Sequence, residues 1–173
     1  VLGDRLFEPV QIIGGAHTRA IIHRPTDTFN PGDQFLLPKL SARVRSESLV
    51  AVGQVLLLTG GGHYLVGTHS DEVPGWKTFV LLRCDRQVDW QSGTTIEDGL
   101  TGLDKASTPA DMGSMWVYWE RQLQARQDTQ VRIPDVEYLV ATGAAVRQGD
   151  TLDGKTVVRT ETALGLTVCG VRA

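Results

Sequence analysis

The stretch Val52-Gly53-Gln54-Val55-Leu56-Leu57-Leu58-Thr59-Gly60-Gly61-Gly62-His63-Tyr64-Leu65-Val66 decides the fold class. Two short apolar runs, Val55–Leu58 and His63–Val66, flank three consecutive glycines. Such runs, bounded by glycine, read as two strands of a β-hairpin with a Gly-containing loop. A phosphate-binding loop needs a Lys-Ser/Thr pair or a following helix. Here a strand former follows instead, so Gly60, Gly61 and Gly62 read as a flexible hairpin tip.

The same grammar runs outward in both directions. Nineteen glycines in 173 residues favour many turns over long helices. Pro31-Gly32-Asp33 and Pro74-Gly75 mark turns. Val10–Ile13, Ala20–His23, Arg43–Arg45, Leu49–Val52 and Thr78–Cys84 are strand candidates in the first half. Val136–Val140, Thr156–Val158 and Leu166–Cys169 are candidates in the second, with Asp153-Gly154 as a two-residue hairpin turn. Residues 111–127 carry conflicting signals. Met115, Val117 and Trp119 alternate with Trp116, Tyr118 and Glu120 as in a strand, whereas Glu120–Arg126 favours helix. A strand passing into an irregular or helical stretch is the expectation. Asp85–Pro109 is polar and Gly-rich and reads as a long connection. The chain is therefore expected to be mainly β, with small β-barrel or sandwich units in tandem. A boundary near Gly102 divides it into residues 1–100 and 101–173.

Two stretches look alike. Val52-Gly53-Gln54-Val55-Leu56, a glycine turn, His63–Val66 and then Phe79–Cys84 form the first. Gln148-Gly149-Asp150-Thr151-Leu152, the Asp153-Gly154 turn, Lys155–Val158 and then Leu166–Cys169 form the second. The reading is a three-strand meander used twice, each closing near a cysteine.

Composition excludes several classes. Hydrophobic residues make up 41% of the chain and the net charge is −3, so the chain is neither disordered in composition nor strongly basic. That balance argues against a long phosphate-neutralising face, though charge can be segregated on a surface. The longest apolar run, Val50–Leu58, is broken by Gly53 and Gln54 and is too short to span a bilayer. No basic patch followed by an apolar segment opens the chain, so no signal peptide is expected; Val1 following a removed Met, which would make the chain full-length, is the companion expectation.

Catalytic signatures are not found, and a non-enzymatic protein without cofactor or metal is expected. There is no Gly-x-Ser-x-Gly elbow, and no Cys-x-x-Cys pair. Cys84 and Cys169 read as free thiols in apolar strands, with a disulfide as the rival. His63 and His69 share strand parity, as do His17 and His23, but six strand residues hold each pair roughly 20 Å apart. Neighbouring carboxylates at Asp71-Glu72 and Glu97-Asp98 point apart on extended chain. The aromatic group Trp116, Tyr118 and Trp119 suits a core, a subunit interface or a ligand platform.

The segment Val131-Arg132-Ile133-Pro134-Asp135, then Val146-Arg147-Gln148-Gly149-Asp150-Thr151-Leu152-Asp153-Gly154-Lys155-Thr156-Val157-Val158, resembles head-closure and related head–tail connector (neck) proteins of tailed phages. Asn30-Pro31-Gly32-Asp33 supplies a second Gly-Asp turn in the looser match over Phe29–Cys84. The resemblance implies small β-barrels in a homo-oligomeric ring of the virion, docked between portal or adaptor and tail. DNA would pass non-specifically through a mildly acidic lumen. No functional residue carries over. Trp116, Tyr118, Trp119 and Gly60–Gly62 are the candidate interface residues, and unit-to-unit sheet extension through edge strands is one route to assembly. The alternative is a carbohydrate- or ligand-binding module with Trp116 and Trp119 as its platform.

Overall fold

The computed structural model describes residues 7–24, 40–70, 73–93, 95–97, 104–106, 109–123 and 136–172. Every regular element among them is a strand. The chain forms two compact units, residues 1–84 with Leu164–Leu166, and Asp85–Ala163 with Thr167–Ala173. The expected mainly β class, with barrel units, is what the chain adopts.

The first unit contains β1 (Glu8–Ile12), β2 (His17–His23), β3 (Leu40–Arg45), β4 (Val55–Leu58), β5 (His63–Ser70) and β6 (Trp76–Arg83). They close in the order β1-β2-β3-β6-β5-β4, with β1 returning to β4 through Val10↔Leu58 and Ile12↔Leu56. Period-two alternation turns Val10, Ala42, Val44, Leu56, Phe79 and Leu81 inward, where all are buried. Burial of each larger side chain contributes about 1.5–3 kcal/mol. A bulge lies between Val66 and His69. The extra residue reverses the parity of β5, so His63 and His69 do not share a face as uninterrupted alternation predicts.

The second unit contains β7 (Arg86–Ser92), β8 (Thr95–Glu97), β9 (Asp104–Ala106), β10 (Ala110–Leu123), β11 (Val136–Thr142), β12 (Thr151–Leu152), β13 (Lys155–Ala163) and β14 (Leu166–Arg172). Six of these close in the order β10-β11-β14-β13-β12-β7, while β8 and β9 pair only with each other. Its core gathers Val88, Val117, Val140, Leu152, Cys169 and Val171. Numbered within each unit, both barrels run first-second-third-sixth-fifth-fourth and close fourth to first. The tandem repeat is thus a repeat of topology.

Two expectations are corrected. The chain passes between units at Cys84–Asp85, not near Gly102, because Arg86–Ser92 is the first strand of the second barrel rather than connection. Residues 110–123 form one continuous strand, so the helical alternative fails over 111–123; residues 124–127 lie outside the described residues. The turn at Pro31-Gly32-Asp33 and the segment Val131–Asp135 also lie outside them.

The repeat is most exact at the corner that leads into the fourth strand. Gly53 and Gly149 hold φ of 87° and 91°, which glycine adopts without strain. Gly53 N donates to Val66 O at 2.8 Å, and Gly149 N to Val157 O at 2.9 Å. Val66 N returns to Gln54 O at 2.9 Å, and Val157 N to Asp150 O at 2.8 Å. The side chain after each glycine accepts from the backbone three residues upstream: Gln54 Oε1 from Ala51 N and Asp150 Oδ2 from Arg147 N, both at 2.9 Å. Val50 and Val146, Leu56 and Leu152 are buried at matching positions.

Asp150 does more than Gln54. Its buried carboxylate also accepts Trp90 Nε1 and Gly93 N, each at 3.0 Å. Substituting Asp150→Ala strands three donors, and buried unsatisfied groups cost about 1–3 kcal/mol each before relaxation. We expect Asp150→Ala to destabilise by about 3 kcal/mol and Gln54→Ala by about 1 kcal/mol. Urea midpoints at unchanged slope will check this; equal losses at the two sites would refute the distinction.

Candidate functional site

The aromatic group is split by the pleat of β10. Val117 and Trp119 turn inward, and Trp119 is 9% exposed within the second core. Its ring packs tilted against Tyr138 at 5.5 Å, and the Arg86 guanidinium lies 4.9 Å from its centroid. Its backbone N donates to Asp85 Oδ2 at 3.0 Å. Trp116 and Tyr118 occupy the opposite, outward face and are half-buried. The Tyr118 hydroxyl donates to Glu120 Oε2 at 3.0 Å. Burial, reinforced by that bond, raises its pKa above the ordinary tyrosine value. Trp116 and Trp119 therefore cannot form one platform, and of the three aromatics Trp119 is a core residue rather than an interface residue.

The glycine tip is where the sequence puts it. Gly60 and Gly61 are exposed between β4 and β5, and Gly61 and Gly62 take φ of 80° and 95°. Gly61 N donates to Leu58 O at 2.9 Å, which makes the tip a tight turn. A Cβ at Gly62 would lie 3.2 Å from the Tyr64 ring.

Sequence reasoning missed the charged group on the outside of the second barrel. Glu137 is 2% exposed and accepts Arg159 Nε at 2.6 Å and Arg172 Nη2 at 3.1 Å. Gly170 makes this possible, because a Cβ there would run into the Glu137 carboxylate and the Arg159 side chain. Burial pushes the Glu137 pKa up, but the two arginine hydrogen bonds outweigh it and hold the carboxyl below its ordinary value. The pair's stabilisation is therefore present above the unfolded carboxylate pKa and is lost as pH falls through the lowered folded value. The only sequence signal was a lone glycine interrupting a strand.

Both cysteines are buried, and no disulfide joins them. They are not equivalent, as the repeat suggested: Cys169 faces the second core in mid-strand, whereas Cys84 follows the end of β6. Among the described residues no three His, Cys, Asp or Glu side chains gather as a cation site. No helix among them is long and apolar enough to cross a membrane. Comparisons with protein-family models, curated proteins and solved structures return no match.

Burial, with a smaller contribution from Asp150, pushes the Cys169 thiol up to about 12. Folded protein should react with a thiol reagent at pH 8 about a thousandfold more slowly at Cys169 than an exposed cysteine does, as three pKa units imply. Because the folded state keeps the proton, this group's stabilisation is complete below the unfolded thiol pKa and declines as pH rises toward 12. Mass-resolved alkylation with and without denaturant will measure it; rapid native labelling of Cys169 would contradict the burial.

Proposed function

We propose that the chain is a structural subunit of the tailed-phage neck, assembling as a homo-oligomeric ring that joins portal or adaptor to tail in the virion. The observation that carries this reading is the Gly149-Asp150 corner. It opens β12, a two-residue turn follows, and β13 and β14 complete the unit. That is the order of parts on which the resemblance to head-closure and connector proteins rests. The corner recurs at Gly53-Gln54 in a barrel of the same topology. One chain thus brings two like building blocks to an assembly.

The closed barrels alter the route to assembly. Each barrel's strand order closes on itself, and closure leaves less edge for sheet extension between subunits than an open sheet would. The β8–β9 pair lies outside both closed strand orders and keeps its outer edges. Subunits would meet through outer side-chain faces, through this small hairpin and through the Gly60–Gly62 tip.

Native mass spectrometry of the purified chain, alone and with candidate portal and tail proteins, tests the proposal. A closed ring or a stoichiometric complex with either partner is expected. A monomer that joins neither would overturn it.

A further inference from the structure

We infer that the outer face of β2, β3 and β6 on the first barrel is a binding surface for the phosphate backbone of nucleic acid, with Arg19, Arg43 and Arg45 as its contacts. This goes beyond the ring proposal and does not depend on it, since a chain that never closes into a ring would keep the face.

The argument starts from register. Ile21 pairs with Arg43 and His23 with Ser41. Continuing that register by two residues sets Arg19 opposite Arg45, and both line one cleft of about 240 Å³. Like charges directly opposite each other across a strand pair are destabilising. Arg43 lies two residues from Arg45 on the same face, roughly 6.6 Å along the strand. It lines a second cleft of about 300 Å³ with His23 and Ser41. Three exposed arginines therefore lie on the outer face of adjacent strands.

Little neutralises them among the described residues. Arg45 meets Glu47 at 3.8 Å, with both side chains more than 60% exposed, a pair of small worth. Arg43 Nε donates to the Thr78 hydroxyl at 3.4 Å. By contrast, Arg24 on the same barrel holds Glu8 through two hydrogen bonds at 2.8 and 3.2 Å. The sequences HTRAIIH, LSARVR and WKTFVLLR of β2, β3 and β6 contain no Asp or Glu.

The fold does not require this composition. The equivalent strands of the second barrel, β10, β11 and β14, contain Asp111, Glu120 and Glu137. Of the two arginines on these strands, Arg121 and Arg172, the second has Glu137 as partner. The basic face thus belongs to one of two barrels of the same topology. Hydroxyls of Thr18 and Ser48, 3.3 Å from each other, line the first cleft beside the two arginines, as does the exposed Glu47 carboxylate, and Phe7 stacks on Trp76 at 5.8 Å next to Arg45. Guanidinium groups with hydroxyl donors on a rigid sheet match phosphate oxygens, and each phosphate neutralised releases counterions.

The test is fluorescence anisotropy of a short mixed-sequence DNA duplex with the full chain over a salt series. Binding at low salt is expected, with log K falling against log salt at a slope of about −2.7 for three phosphate contacts. Arg19→Gln, Arg43→Gln and Arg45→Gln should each lower that slope by about 0.9, and the triple variant should lose at least about tenfold in affinity. Arg147→Gln on the second barrel should change nothing. The triple variant should unfold at a urea concentration equal to or above the parent's, since it removes opposed charges; this separates lost contacts from lost folding. Absence of duplex binding by the parent at low salt, or unchanged binding by a folded triple variant, would overturn the inference. Equal arginine-dependent binding of polyglutamate would also overturn it and assign the face to an acidic protein partner.

Discussion

A glycine in the left-handed region, followed by a side chain that accepts a backbone N–H three residues upstream, is the joint on which each barrel depends. The chain must turn sharply there to enter the fourth strand, which closes against the first. A sharp turn leaves backbone donors without ladder partners, and buried donors must be satisfied. Gln54 and Asp150 meet that need. In the second barrel the need is greater. The strand β12 has two residues, and its seam with β7 is only Thr151↔Gln91 and Leu152↔Trp90. The Asp150 carboxylate extends that seam by tying Trp90 and Gly93 to the corner, and Asp153 adds Asp89 N→Oδ1 at 2.9 Å. In the first barrel β1 and β4 share three register pairs, with Ile13 N bonding Val55 O beyond them, and a glutamine suffices.

That difference explains what was legible in the sequence. The corner recurs as Val-x-x-Gly-polar-x-Leu in both halves, and the repeat is readable because its residues are fixed by backbone geometry. Hairpins at Gly60–Gly62 and Asp153-Gly154 were readable for the same reason, since positive φ selects glycine and Asp. The strand Arg86–Ser92 was not. Only Val88 and Trp90 of its seven residues are apolar, because its outer face is polar and its partners are distant in sequence. Residues 111–123 misled through local propensity: Glu120–Leu123 prefer helix, but their register with Val136–Leu139 holds them in the sheet. Leu49–Val52 reads as a strand yet lies in the corner itself, where Val50 is buried and the backbone is irregular.

The candidate sites divided along the same line. Alternation at Met115–Glu120 was visible, and it already placed Trp116 and Trp119 on opposite faces, so the two-tryptophan platform failed on geometry present in the sequence. The Glu137–Arg159–Arg172 group was invisible, because three strands separated along the chain bring it together and only the missing Cβ of Gly170 makes room. The shared cleft of Arg19 and Arg45 was hidden likewise, since only the pairing of β2 with β3 brings these parts of the chain side by side.

Net charge conceals how these faces have diverged. Residues 1–84 carry eight Lys and Arg against seven Asp and Glu, net +1, and residues 85–173 carry nine against thirteen, net −4, which together give the −3 of the chain. A mildly acidic total is therefore compatible with a basic face on one barrel. Two barrels of one topology must meet the same demands for core and corner, so those parts stay alike. Their outer faces answer to no such demand and are free to specialise. On the second barrel Arg159 and Arg172 are drawn to the Glu137 carboxylate, which lowers the local field. On the first barrel Arg19 and Arg45 line one cleft, where their like charges favour an incoming anion.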